Sequence, residues 1–123
     1  MKYYIGIDLG GTNIVAGVVD ENFSLIATAS NKTNAGRPAD QIAETMAQTA
    51  AQVAEKAGIS MEQIESVGIG SPGIVDSQKR EVIFASNLDF YNAPIGQLLE
   101  DRLHRPVFLA NDADAAAYGE FMA

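Results

Sequence analysis

No cysteine occurs among the 123 residues, which excludes disulfides and thiolate metal sites within this chain. That absence is compatible with a reducing compartment, and the cytoplasm is the expected location. Positive charge is scarce as well: 8 Lys plus Arg stand against 16 Asp plus Glu, a formal charge of −8. A nucleic-acid duplex or an anionic membrane surface would be repelled by most of such a surface, so neither is expected as a partner. The basic residues that do occur stand apart or in small groups, Lys79 with Arg80 and Arg102 with Arg105, and read as solvated surface charges. Long apolar runs are missing too. The run behind Met1-Lys2-Tyr3-Tyr4 meets Asp8 too soon for a signal-peptide core, and no later stretch could span a bilayer. No repeat of solenoid period, low-complexity tract or Pro/Ser-rich linker divides the chain.

With 47% hydrophobic and 20% charged residues, the chain has the balance of one folded domain able to bury a core. Residues 3–8 are β-branched and aromatic apart from Gly6 and Asp8, and end in the turn cluster Leu9-Gly10-Gly11-Thr12. Residues 14–20 and 23–28 resume strand character on either side of Glu21-Asn22, which predicts three consecutive antiparallel strands. From Pro38 the period lengthens. Ile42, Met46, Ala50, Val53 and Ala57 recur at spacings of three and four, a long amphipathic helix with Pro38 in its first turn and Gly58 at its C-terminus. Ser60 with Gln63 reads as a capping box over one short turn. Residues 67–70 predict a strand stopping at Ser71-Pro72-Gly73, residues 82–84 a minor strand paired with residues 73–75. Pro94 opens a second helix that turns Ile95, Leu98, Leu99 and Leu103 inward and ends at Arg105-Pro106. Residues 107–110 form a last buried strand, and 112–123 an Ala-rich helix with no stop signal.

Two places carry chemistry. Gly6-Ile7-Asp8-Leu9-Gly10-Gly11-Thr12-Asn13 lacks the Gly-Lys-Ser/Thr of a Walker loop. The β-branched run after it lacks the helix that a dinucleotide-binding turn needs. In a strand–turn–strand, Gly10 and Gly11 can take conformations closed to other residues, bring N–H groups close to an anion, and add the Thr12 hydroxyl. Asp8, on the lip of the turn, would hold a hydrated magnesium ion. Spacing alone equally allows a simple tight turn. Asn111-Asp112, where a buried strand hands over to a helix, lies at the carboxyl edge of a sheet, where open α/β folds bind ligands. The pair could equally be a helix N-cap, with Asp112 and Asp114 favoured by the helix dipole; Asp114 reads as structural. As a site, Asp112 could accept the proton of an alcohol receiving phosphate, and the Asn111 amide could fix a polyol.

Ile7-Asp8-Leu9-Gly10-Gly11-Thr12-Asn13, Gly70-Ser71-Pro72-Gly73-Ile74-Val75-Asp76, Ser86-Asn87-Leu88 and Ala110-Asn111-Asp112-Ala113-Asp114, running on to Glu120, occur in an order that resembles the ROK family and, within it, the bacterial glucokinases. The likeness covers essentially the whole chain. It implies an α/β, ribonuclease H-like, actin-like ATPase domain: a mixed five-stranded sheet, three antiparallel strands continued by parallel ones, with helices on both faces. Residues 1–123 would be the N-terminal lobe of a two-lobe sugar kinase, phosphorylating a hexose, glucose first, at a primary hydroxyl and inactive alone. Asp8, Gly10, Gly11, Thr12 and Asn13 would serve ATP phosphates and Mg2+, Asp112 would be the catalytic base, and Asn111, Gly73 and Asn87 would border the sugar.

The family's second lobe, absent from this sequence, would bring most of the adenine pocket, a Cys/His structural zinc site and further sugar ligands. Such glucokinases often carry a tryptophan after the Asn-Leu pair; Phe90-Tyr91 stands here instead and leaves the sugar wall aromatic. Repressors of the family carry a helix-turn-helix ahead of this lobe, for which a first strand starting at Met1 leaves no room. Self-association into a homo-oligomer through the uncovered cleft face is also expected. The rival to a kinase is a non-catalytic ATP-binding switch or sugar-sensing lobe of the actin-like superfamily.

Overall fold

In the computed structural model, residues 1–112 are described. β1 (Tyr3–Leu9), β2 (Asn13–Asp20) and β3 (Leu25–Lys32) form an antiparallel meander. After α1 (Ala39–Lys56) the chain returns through a 3-10 turn as β4 (Ile64–Ser71), parallel to β1. β5 (Ile74–Asp76), β6 (Glu81–Ala85) and β7 (Phe90–Ala93) make a separate three-stranded antiparallel sheet. α2 (Ile95–Leu103) then leads into β8 (Val107–Asn111), parallel to β4. The main sheet runs β3-β2-β1-β4-β8, the mixed five-stranded order implied by the resemblance. The helix expected over 112–123, and with it Asp114, lies outside the described residues beyond its first residue, Asp112.

Alternation along the strands decides what faces what. Ile5, Ile7 and Leu9 of β1, Ile14, Ala16 and Val18 of β2, and Val67 and Ile69 of β4 are buried in one cluster with Ile42, Met46, Ala50 and Val53 of α1 and Ile95, Leu99 and Leu103 of α2. Both described helices therefore cover the same face. Across the other face runs a row of paired positions, Gly17, Gly6, Gly68 and Phe108, the last of them exposed.

Boundary residues explain the element lengths. Pro38 sits just before α1, its carbonyl accepting from the N–H of Ile42 at 3.2 Å. Gly58, at φ +76, closes the helix with N–H bonds from Gly58 to Glu55 and from Ile59 to Ala54. The Gln63 side chain accepts from the Ser60 N–H at 3.0 Å, as the sequence suggests. β3 starts two residues later than its pattern predicts, because Asp20 Oδ1 accepts from the N–H of Asn22 and Ser24 and turns the chain, with Phe23 at φ 61. It also runs four residues further, through polar residues that an edge strand can expose. α2 stops at Leu103, before Arg105-Pro106, where His104 takes φ 56 and donates its N–H to Glu100.

The small sheet is pinned to the large one by Arg80. Its guanidinium pairs with Glu100 and donates to the Val107 carbonyl at 3.1 Å and to Gln97 at 2.9 Å, while its own carbonyl accepts from the Gly96 N–H. A surface cation is thus a bracket between hairpin, helix and β8. None of the described helices is long and apolar enough to cross a membrane.

Ile7 is wholly buried between α1 and the sheet. Ile7→Ala is expected to lower unfolding stability by about 2–5 kcal/mol in urea titration. A loss under about 1 kcal/mol would mean this part of the core can collapse around the gap.

Candidate functional site

Three parallel strand ends, those of β1, β4 and β8, meet at one edge of the large sheet. Their register aligns Asp8 with Gly70 and Gly70 with Ala110, and one step on it aligns Ser71 with Asn111. Paired positions share a face, so the Asp8 carboxylate stands two strands, roughly 10 Å, from Ala110 with no side chain on the strand between. Asp112 follows two residues after Ala110 and begins the next helical turn.

The Asp112 carboxylate senses Asp8. Asp112 has its pKa raised, first by desolvation on partial burial and second by the negative charge of Asp8. Like charges at the lip of a glycine turn suit a divalent cation between them. Among the described residues no three His, Cys, Asp or Glu side chains gather to bind one directly. A magnesium ion held here would keep most of its waters, as magnesium commonly does.

β1 and β2 are joined by Gly10-Gly11-Thr12, with β2 starting at Asn13, so the turn is strand–turn–strand and no helix springs from it. The turn closes on itself, the Gly10 N–H donating to the Asn13 carbonyl at 3.0 Å. Glycine is needed here for space rather than for a left-handed backbone, since neither Gly10 nor Gly11 has such a φ. A Cβ at Gly10 would come within 2.8 Å of the Asn13 oxygen, and one at Gly11 within 2.9 Å of Asn87 Nδ2. The Asn87 amide, on the 3-10 turn Ser86–Leu88, thus rests directly against the glycine turn. Thr12 and Asn13 are exposed beside it.

Asn111 closes the other side. Its Nδ2 donates to the Gly73 carbonyl at 2.6 Å, tying β8 to the Ser71-Pro72-Gly73 turn. Gly73 is glycine for two reasons: φ is +88, and a Cβ would overlap the Phe84 carbonyl oxygen. Ser71 is buried beneath, its hydroxyl donating to the Pro72 carbonyl at 3.1 Å.

The residues singled out in the sequence lie along one edge: Asn87 rests on Gly11, Asn111 bonds to Gly73, Thr12 and Asn13 are exposed beside the glycines, and Asp112 is near enough to Asp8 to feel its charge. Of the aromatic pair that replaces the expected tryptophan, Phe90 is core at 2% exposure, whereas Tyr91 is 66% exposed and packs on Phe84 with ring centroids 5.5 Å apart. Only Tyr91 could face a ligand. One residue at the site carries no sequence signal. Thr33, in the β3–α1 loop, looks like any polar loop residue, yet it is buried and its hydroxyl donates to the Gly10 carbonyl at 2.7 Å.

The family model described as "ROK family" matches residues 4–123. A glucokinase of Streptomyces coelicolor is 40% identical over 121 residues, spanning 98% of this chain and 36% of that protein. The crystal structure of a ROK family glucokinase from Streptomyces griseus in complex with glucose and AMPPNP superposes with a TM-score of 0.84 at 39% identity, over 98% of this chain and 37% of that one. A putative xylose repressor of Caldicellulosiruptor is 30% identical, over 94% of this chain and 29% of that protein. The chain thus spans about a third of the length of these relatives.

Because the Asp112 pKa is raised on folding, the folded state holds that proton more tightly than the unfolded one. The stability this confers is complete below the unfolded value and is lost as pH rises through the folded one. Asp112→Asn is therefore expected to melt above the wild type at pH 7, with the gap closing as pH falls below the ordinary aspartate range. Thermal melts across that range check it; a constant gap would show that the carboxylate's charge costs the fold nothing.

Proposed function

We propose, since the chain belongs to the ROK family, that the protein of which it forms part transfers phosphate from ATP to a primary hydroxyl of a hexose, glucose first. The observation that carries this reading is that Asp8 and Asp112 come together at the ends of parallel strands, near enough for the charge of Asp8 to raise the Asp112 pKa, beside a turn whose first two residues are glycine. In the transfer, the hydroxyl oxygen bonds to the γ-phosphorus as the bond from that phosphorus to the bridging oxygen of ADP breaks. The hydroxyl proton passes to the Asp112 carboxylate. A raised pKa makes Asp112 a better base, provided it is ionised at working pH.

Gly10, Gly11, Thr12 and Asn13 would take the phosphates, small enough in their first two members for backbone to approach the anion. Asp8 would hold magnesium through water, and the ion would offset the charge gathering on the phosphate oxygens. Asn111 and Asn87, with the Gly73 turn, would border the sugar, each already in contact with a neighbouring part of the site. The likeness to a glucokinase whose structure holds glucose and AMPPNP supports hexose and ATP as the ligands.

A second reading, a sugar-sensing regulator without turnover, draws on the similarity to the putative xylose repressor. The two separate on Asp112, which only a kinase needs as a base.

In the full-length protein, Asp112→Asn is expected to lower kcat by about 10²- to 10⁴-fold while hexose still binds, since the amide keeps the shape and loses the base. Near-normal turnover, measured by coupled ADP release, removes Asp112 from the role; a wild type that binds hexose without ever phosphorylating it favours the regulator.

The 123 residues alone, about a third of the relatives' length, are expected to give no turnover. Sugar phosphorylation by the isolated chain in the same assay would mean that the site described above is complete without the rest.

A further inference from the structure

Thr33 is wholly buried between the phosphate-side turn and the start of α1. Its hydroxyl donates to the Gly10 carbonyl at 2.7 Å and its backbone N–H to the Thr12 carbonyl at 2.9 Å. One residue thereby engages the carbonyls on both sides of Gly11. Thr33 is in turn held from α1. Arg37 Nη2 donates to the Thr33 carbonyl at 2.6 Å and to the Thr45 hydroxyl at 3.0 Å, and Arg37 Nε to the Asn34 carbonyl at 3.2 Å.

The geometry of the peptide turns this clamp into an orientation. A trans peptide is planar, so a carbonyl and the N–H that follows it point in opposite directions. With the Gly10 oxygen drawn toward Thr33, the Gly11 N–H is directed away from Thr33. Two consecutive glycines place little steric resistance on rotation of the peptide between them, so the direction must be imposed from outside the turn. Two more polar groups of the turn are engaged, the Gly10 N–H by Asn13 and the Thr12 carbonyl by Thr33.

We propose that Thr33 is a positioning residue for the anion cradle: its hydroxyl locks the Gly10–Gly11 peptide so that the Gly11 N–H is presented to a phosphate. The inference rests on the reading of the turn as the phosphate site.

The test is calorimetric titration of the full-length protein with AMPPNP and, separately, with hexose. Thr33→Val keeps the shape and removes the donor, and is expected to weaken AMPPNP binding roughly five- to tenfold. Hexose binding is expected to be unchanged, and Thr33→Ser to restore AMPPNP binding to within about twofold. A purely structural role would lower both ligands together or leave both alone. Unchanged AMPPNP affinity in Thr33→Val overturns the proposal, as does failure of Thr33→Ser to rescue it. Were Thr33→Val to lose hexose binding as well, Thr33→Cys set against Thr33→Ser, the two side chains being near-isosteric and the thiol only a weak donor, decides the same comparison. A wild type that binds AMPPNP but phosphorylates no hexose sinks the kinase reading and leaves this comparison in force; one that binds no AMPPNP overturns both.

Discussion

The register of β1 with β4 and of β4 with β8 is the constraint on which the site depends. It puts Asp8, Gly70 and Ala110 in one row, with no side chain on β4 between Asp8 and Ala110, and Asp112 follows two residues after Ala110. Because strand side chains alternate, a slip of one residue would send Asp8 into the core and Ile7 to the ligand side. Ile5, Ile7 and Leu9 on the opposite face resist that slip, being buried against α1. The packing of the core and the placing of the carboxylates are thus the same fact seen from two sides of a strand.

Glycine and asparagine then join the loops around that edge. Gly11 lets the Asn87 amide lie against the turn, and Gly73 lets its loop pass under Phe84 while its carbonyl receives Asn111. Under the proposed function, the nucleotide turn and the sugar-side loops are in direct contact, so a change in one is felt by the other through packing alone. Arg80 supports this at a distance. By bracketing β6, α2 and β8 it keeps the small sheet, which carries the Gly73 and Asn87 turns, from swinging away from the large one.

Most elements were legible because their periods are strong. Strands β1, β2 and β4 are β-branched runs bounded by turn residues, and α1 has an apolar stripe and a glycine at its end. β7 was missed: Phe90–Ala93 is four residues long, and only Phe90 and Ala93 are buried, too short a pattern to separate from loop. The start of β3 was misplaced because an aspartate turn, set by Asp20, overrode the apolar appearance of Phe23. The glycines of the phosphate-side turn were expected to supply unusual backbone angles. They supply room instead: Gly10 for the Asn13 carbonyl within the turn, and Gly11 for Asn87, a neighbour 76 residues away that no local pattern reveals.

What the sequence by itself determined is the kind of chemistry: acidic and amide side chains at strand ends, and turns of small residues in a recognisable order. These are properties of residue type and local spacing, and they survive without coordinates. Only the tertiary structure decided which of them meet. Strand register brought Asp8 near Asp112, and parallel pairing brought Asn111 to Gly73. The β3–α1 loop carried Thr33 under Gly10, 23 residues away in the chain. Contacts between residues so distant in sequence arise from packing and hydrogen bonding of whole elements, and a buried threonine in a polar loop has no pattern of its own.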